Sequence, residues 1–187
     1  QARARGLATD VLSGDLDVLQ LVGDTVRVLA PGQTFAEPIV YDAARVRERF
    51  GVEPAQLRDW KALVGDASDE IPGVRGVGKK SATDLVQRFG SLAAIYAGLD
   101  SIDNARVRNA LAAGRHDAEL SYRLVTMRDD APVTLDLAAA RLGTFDRDAA
   151  VRAVHALGFR TLADRIPRFE TGNEPQAPSR GAPRRSR

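Results

Sequence analysis

An α/β chain, with a short sheet first and helices after it, is what this sequence predicts from three observations. Residues 7–12 form a nearly continuous apolar run broken at Thr9 and Asp10, the pattern of a buried strand. Residues 25–29 and 35–40 alternate and are joined around Pro31-Gly32, the pattern of an edge hairpin. From Asp42 onward apolar residues recur at helical spacing, punctuated by capping residues and glycines.

Each element follows in order. Gln1 to Gly6 reads as the last turn of a helix stopped by Gly6. A domain does not normally start there, so the chain is expected to be a piece whose N-terminal half lies upstream. Asp15 and Asp17 come just after the first strand, where open α/β sheets place ligands. Taken alone, Asp15 reads as the cap of a short helix over 17–22. A helix over 42–50 stops at Gly51, and another covers 53–64. There Trp60 has Leu57 at i−3 and Val64 at i+4, a core pattern rather than a base-stacking one.

Helix 78–89 ends at Gly90, and Ser91 caps 92–97. Helices 104–113 and 117–126 are separated by Gly114. A turn at 129–132, a short extended piece at 133–137 and helices over 146–157 and 161–169 complete the chain. The pair Asp129-Asp130 reads as a solvated turn, and His116 and His155 as surface or half-buried residues. From Glu170 the chain is Pro, Gly, Ser and Arg with no aliphatic residue except alanine, which reads as a disordered linker or tail.

Composition excludes several classes. With 44% hydrophobic and 28% charged residues the chain is globular in type, and no apolar run is long enough to span a bilayer. Cysteine is absent, which rules out disulfides and thiolate metal sites. The net charge of +2 resides in residues 170–187, while the rest balances 23 basic against 23 acidic groups. Any affinity for a polyanion must therefore come from local patches.

Residues 61–90 concentrate the chemistry. Asp66 and Asp69 lie three apart, a spacing that puts both carboxylates on one face if the segment is a helical turn. Two such carboxylates suit a hard divalent cation. The following Ile71-Pro72-Gly73-Val74-Arg75-Gly76-Val77-Gly78-Lys79-Lys80-Ser81-Ala82 reads as helix, glycine hairpin, helix. The helix start near Gly78 suits a phosphate. The chain has 24 arginines but only three lysines, Lys61, Lys79 and Lys80, and all three flank the carboxylate turn. Lys79 and Lys80, at the hairpin, are expected to face phosphate.

The string GDASDEIPGVRGVGKKSA, together with LSGDLDVLQLV at residues 12–22, resembles the 5′-nuclease family of 5′→3′ exonucleases and flap endonucleases. The likeness is to the exonuclease domain of bacterial DNA polymerase I in particular, and it covers roughly residues 1–169. It implies that residues 1–41 are the remnant of a PIN-like nuclease sheet lacking its N-terminal half. Residues 42–169 would then be a mainly helical helix-hairpin-helix (H3TH) DNA-binding region, and 170–187 a linker.

Carried over residue by residue, Asp15, Asp17, Asp66 and Asp69 match metal ligands, and the resemblance turns Asp15 from a cap to a ligand. It implies a two-ion Mg²⁺ (or Mn²⁺) site, incomplete here because the earlier carboxylates are absent. Gly73, Val74, Gly76, Val77, Gly78, Lys79, Lys80 and Ser81 match the DNA-binding hairpin. The implied partners are duplex and flapped DNA, the missing half of the nuclease domain and downstream polymerase domains. The implied setting is the bacterial cytoplasm and nucleoid, with no membrane. The alternative is a non-catalytic helix-hairpin-helix module whose aspartates serve as caps.

Overall fold

The computed structural model describes residues 1–32, 37–128, 130–141, 146–159 and 161–167. It divides into two compact units, Gln1–Val133 and Thr134–Arg187.

The first unit begins with a three-stranded sheet of order β1-β2-β3, formed by Thr9–Leu12, Val26–Ala30 and Ile39–Tyr41. β1 runs parallel to β2 with Val11 opposite Val28, and β2 runs antiparallel to β3 with Val28 opposite Tyr41. β2 is the central strand and shows it: Val26, Val28 and Ala30 are buried while Arg27 is exposed. The first strand differs from its expectation. It starts at Thr9, pairs on one edge only among the described residues, and leaves Leu12 77% exposed. Asp10 and Arg27 pair across the two strands at 2.8 Å on the exposed face, so that face is polar as well as uncovered. The hairpin strand predicted at 35–40 appears as Ile39–Tyr41, with residues 35 and 36 outside the described set.

Six α-helices follow among the described residues of this unit: α1 Ala43–Phe50, α2 Leu57–Val64, α3 Lys79–Phe89, α4 Leu92–Ala97, α5 Ala105–Ala113 and α6 Arg115–Val125. Local chemistry explains their limits. Asp42 caps α1 through the Arg45 N–H, and Gly51 ends it in the left-handed conformation. Glu53 and Gln56 form a capping box on a 3₁₀ turn, Pro54–Gln56, that leads into α2, with Pro54 opening the turn. Ser91 accepts from the Ala94 N–H, and the Asn104 side chain accepts from both Arg106 and Val107.

One continuous apolar cluster runs from Leu19, Val28 and Tyr41 of the sheet region through Leu57 and Leu63 of α2 to Leu111 of α5. The break at residues 41/42 is thus a change of secondary structure and not of packing. Trp60 is a core residue. It packs edge-on against Phe50 with ring centroids 5.4 Å apart, and its indole N–H donates to Thr83 Oγ1 at 2.9 Å.

The second unit contains α7, Arg147–Ala156, capped by Asp146, and a 3₁₀ turn Ala163–Arg165. The extended piece expected at 133–137 forms no strand, and the helix expected over 161–169 shortens to that turn, with 168 and 169 outside the described residues. Proline at 167, which cannot continue a helix and disfavours helical backbone at Ile166, accounts for the shortening. Asp129 and residues 170–187, the proposed tail, also lie outside the described set, whereas Asp130 pairs with Arg128 at 3.0 Å on the surface of the first unit. His116 and His155 are exposed.

Candidate functional site

The site starts where β1 ends. The chain leaves Leu12 through Ser13 and Gly14, and Ser13 Oγ accepts the Asp15 N–H at 3.1 Å. Asp15 then caps the 3₁₀ helix Leu16–Leu21 by accepting the Asp17 N–H at 2.8 Å. The short helix expected over 17–22 is this 3₁₀ segment. Its tighter winding keeps Asp17 on the inner side of the turn, where its carboxylate is only 17% exposed.

The second motif hangs from the C-terminus of α2. Gly65 ends the helix, and Asp66 and Ile71 exchange backbone hydrogen bonds at 3.0 and 2.8 Å, closing a loop around the 3₁₀ turn Ala67–Asp69. The loop corrects two expectations. Asp66 is an extended cap ahead of the turn and not its first helical residue, so Asp66 and Asp69 do not form an i, i+3 pair on one helical face. The reason is local: the Asp66 carboxylate turns back to the Ser68 N–H at 3.0 Å and the Ser68 hydroxyl at 2.5 Å. No helix opens at Ile71 either. The helix preceding the hairpin is α2, with the acidic loop inserted between them.

The two motifs meet at Lys61. Its ammonium donates to Asp17 Oδ1 and to Asp66 Oδ2, the latter at 2.8 Å. Sharing one ammonium confines those two carboxylate oxygens to within ~6 Å of each other. Lys61 is 6% exposed although it is a lysine. Burial lowers its pKa, but the hydrogen bonds and charges of Asp17 and Asp66 outweigh that, so the net shift is upward. The Lys61 ammonium, with help from Ser68, pulls the Asp66 carboxyl down to about 2. The lysine is therefore cationic and both carboxylates face a fixed positive centre.

Asp15, Lys61, Asp66, Asp69 and Lys79 line one cavity of about 850 Å³, with Phe50 and Trp60 among its apolar walls. Of the four predicted ligands the fold brings Asp17 and Asp66 onto one point, and sets Asp15 and Asp69 around the same cavity. Among the described residues no three acidic or histidine side chains stand close enough to form a metal-holding group. The donor chemistry, carboxylate oxygen around a single cationic position, fits a hard divalent ion, with the lysine standing in that position.

Backbone packing builds the hairpin. Gly65 and Gly73 lie back to back with φ of +79° and +61°. A Cβ on Gly73 would stand 2.5 Å from the Val64 carbonyl carbon, and one on Gly65 would stand 2.5 Å from the Ile71 carbonyl oxygen. The Gly73 N–H donates to the fully buried Ser121 Oγ on α6 at 3.0 Å, and the Val74 N–H donates to Leu63. Of the eight residues matched to a DNA-binding hairpin, Gly73, Val74 and Val77 are buried and hold the loop to α2 and α6. Gly76, Gly78, Lys79 and Lys80 are exposed, and Ser81 is half-buried.

Sequence reasoning missed the bridging role of Lys61, noted merely as a neighbour of the acidic turn. It also missed Ser121 and the buried Asp59, which accepts the Leu92 N–H at 2.7 Å. The available signal for Lys61 was its place between Trp60 and the apolar run Ala62-Leu63-Val64, and for Ser121 there was none.

Comparison with known proteins follows the same outline. A sequence model described as "5'-3' exonuclease, C-terminal SAM fold" matches residues 52–148. The chain is 45% identical to DNA polymerase I of Chloroflexus aurantiacus over 85% of its own length and 17% of that protein. It is 37% identical to DNA polymerase I of Bacillus caldotenax over 89% of its length and 19% of that protein. The chain thus spans less than a fifth of the length of these curated relatives.

In fold it is similar to the phage T5 5′-exonuclease solved with bound zinc, with a TM-score of 0.55 at 23% identity, covering 84% of this chain and 49% of that one. It is also similar to the catalytic core of Rad2 in complex with DNA, with a TM-score of 0.50 at 16% identity, covering 88% and 58%. Because the family model covers more than half of the 187 residues, the chain belongs to the 5'-3' exonuclease, C-terminal SAM fold, family.

Proposed function

We propose that this chain contributes part of the metal site and the duplex-gripping hairpin of a metal-dependent 5′→3′ exonuclease and flap endonuclease. The protein would hydrolyse phosphodiester bonds of DNA and be of DNA polymerase I type. The observation that carries the reading is the convergence of Asp17 and Asp66, from motifs 49 residues apart, on one buried cationic position. A fold has no structural need to bury a lysine between two half-buried carboxylates at a strand end, since apolar residues would fill the space at no desolvation cost. The relatives solved with divalent metal ions and with DNA support it from the side of fold.

In this reading Asp17 and Asp66 hold the ion, and Asp15 and Asp69 reach it directly or through water. Carboxylates from elsewhere in the nuclease domain complete a two-ion set of Mg²⁺ or Mn²⁺. A bound divalent ion there supplies an activated water and neutralises charge on the scissile phosphate. Lys61 holds the two carboxylates in place when no ion is bound. Lys79, on the cavity wall, neutralises a phosphate oxygen, and the exposed backbone of Gly76 and Gly78 lies against one strand of the duplex. Sequence preference is not expected, because phosphates carry no base information. Residues 1–41 act as nuclease core and the helices that follow as the DNA-gripping region.

The test is hydrolysis of 5′-flapped DNA by the full-length protein, with metal binding followed by calorimetry. Asp66→Asn and Asp17→Asn are each expected to lower cleavage on the order of 10²-fold or more while weakening metal binding. Full cleavage by both variants would defeat the reading. A second reading, a non-catalytic DNA-binding module, is favoured by the way Lys61 satisfies both carboxylates without an ion. It would leave calorimetry with Mg²⁺ or Mn²⁺ silent in the full-length protein.

A further inference from the structure

A second cavity, of about 940 Å³, opens on the other side of α2. At 3.6 residues per turn, Asp59 and Lys61 project roughly 200° apart, so the helix that presents Lys61 to the acidic cavity presents Arg58 and Asp59 to this one. Its other walls come from α4 and α6 and include Tyr96, Arg115, Tyr122 and Arg123. None of them carries any part of the function proposed above.

Two cation–aromatic contacts line the groove. The Arg115 guanidinium lies 4.4 Å from the Tyr96 ring centroid, and the Arg58 guanidinium lies 5.4 Å from that of Tyr122. The first contact is fixed from below. Tyr96 donates its hydroxyl proton to the Leu111 carbonyl at 3.2 Å, and burial pushes the phenol up to about 12, so it stays a neutral donor at every ordinary pH. Asp59 fixes the floor by holding the start of α4 through the Leu92 N–H. The groove carries three arginines against the carboxylates of Asp59 and Glu119, and Glu119 stands 4.0 Å from Arg115. Its charge is therefore only slightly positive, too little for a site that works by charge alone. Guanidinium groups over aromatic rings, two such pairs lining one open groove, suit the faces of unpaired bases.

We propose that the groove between α4 and α6 binds an unpaired strand of nucleic acid, stacking bases on the Arg115–Tyr96 and Arg58–Tyr122 pairs while Arg123 meets the backbone. The choice of nucleic acid over another planar anion rests on the DNA reading above. The groove itself is separate from the hairpin that grips duplex.

The experiment is fluorescence anisotropy of the whole chain with labelled oligo-dT, an abasic strand of equal length, a blunt duplex and an acidic peptide. Oligo-dT is expected to bind about tenfold more tightly than the abasic strand, because stacking and not phosphate contact supplies most of the affinity. Arg58→Gln and Arg115→Gln should each weaken oligo-dT by about tenfold. Arg115→Lys should rescue little, since the ammonium keeps the charge and loses the plane. Lys79→Ala with Lys80→Ala should weaken duplex binding and leave oligo-dT unchanged.

Equal binding of the abasic strand, full rescue by lysine, or indifference to both glutamine variants would overturn the proposal. Loss of oligo-dT binding in the Lys79/Lys80 variant, or capture of the acidic peptide in preference to oligo-dT, would do the same. Duplex binding that persists while oligo-dT fails defeats this inference and leaves the nuclease reading standing. Loss of flap cleavage in the aspartate variants together with failure of oligo-dT would show that the nuclease site stands without this groove.

Discussion

The acidic loop and the glycine hairpin are neighbours in sequence and in space, yet they are held by opposite means. The loop at 66–70 is half-buried to exposed, and its shape comes from polar side chains: Asp66 to Ser68, and Asp66 to Lys61. Glu70 even adopts a left-handed backbone at φ +56° without being glycine. The hairpin at 71–78 is held by backbone against backbone, with Gly73 pressed on Gly65 and its N–H sealed by Ser121. A loop held by charges can exchange one cation for another without repacking. A hairpin held by backbone contact can shift only if its neighbours repack, so it is the more rigid of the two. The juxtaposition sets a charge-held loop against a backbone ledge.

The strongest way to break that contrast is Gly73→Ala. A Cβ there meets backbone atoms that cannot move aside, at a left-handed φ, so a loss of about 3–5 kcal/mol in stability is expected in denaturant titration. Gly78→Ala is the control, with an ordinary φ and open space around it, and should change stability by less than about 1 kcal/mol. Equal effects at the two positions would mean the Gly65–Gly73 contact does not hold the hairpin.

Next in size is Lys61→Met. Removing the ammonium leaves Asp17 and Asp66 facing each other, and a loss of about 2 kcal/mol is expected without divalent ions. Mg²⁺ or Mn²⁺ should raise the melting temperature of this variant more than that of the native chain, since the ion takes the position the ammonium vacates. An identical response of both proteins to metal would separate Lys61 from the cation position.

Acid titration gives a smaller effect of definite sign. The Asp66 carboxyl is held at about 2 against an ordinary 3.8, so its contribution is complete above about pH 4 and is lost as pH falls toward 2. Lys61 is raised above its ordinary 10.5, so its contribution is complete below that value and is lost only as pH rises through the raised one. The bridge is thus intact at neutral pH, and Asp66→Asn should flatten the acid limb of stability against pH. An unchanged acid limb would place the stabilising carboxylate elsewhere.

The smallest effect on stability belongs to Lys79→Ala with Lys80→Ala. Both side chains are exposed, so stability should stay within about 0.5 kcal/mol. Their effect should appear instead in duplex binding, where the slope of log affinity against log salt should flatten by up to about 0.9 per lost phosphate contact. An unchanged slope would move the phosphate contact away from the start of α3.

Much of this was legible in the residues themselves. The helix starts at Asp42, Ser91 and Asn104 and the stops at Gly51 and Gly90 are local events, decided by side chains within a turn of where they act. The two acidic motifs and the glycine hairpin could be found because chemistry at short spacing leaves a mark on short spacing. What tertiary structure alone decided is everything that depends on distant partners. Lys61 became a buried bridge because the fold carries Asp17 to it across 44 residues, and Ser121 became the lock of the hairpin across 48. Asp66 caps the turn instead of joining it for a local reason, its bonds to Ser68 two residues on and to Lys61 five residues back, and that departure belongs with the legible caps. Pattern and capping depend on neighbours in the chain. Burial of a charge depends on which opposite charge the fold brings to it, and no spacing in the sequence records that.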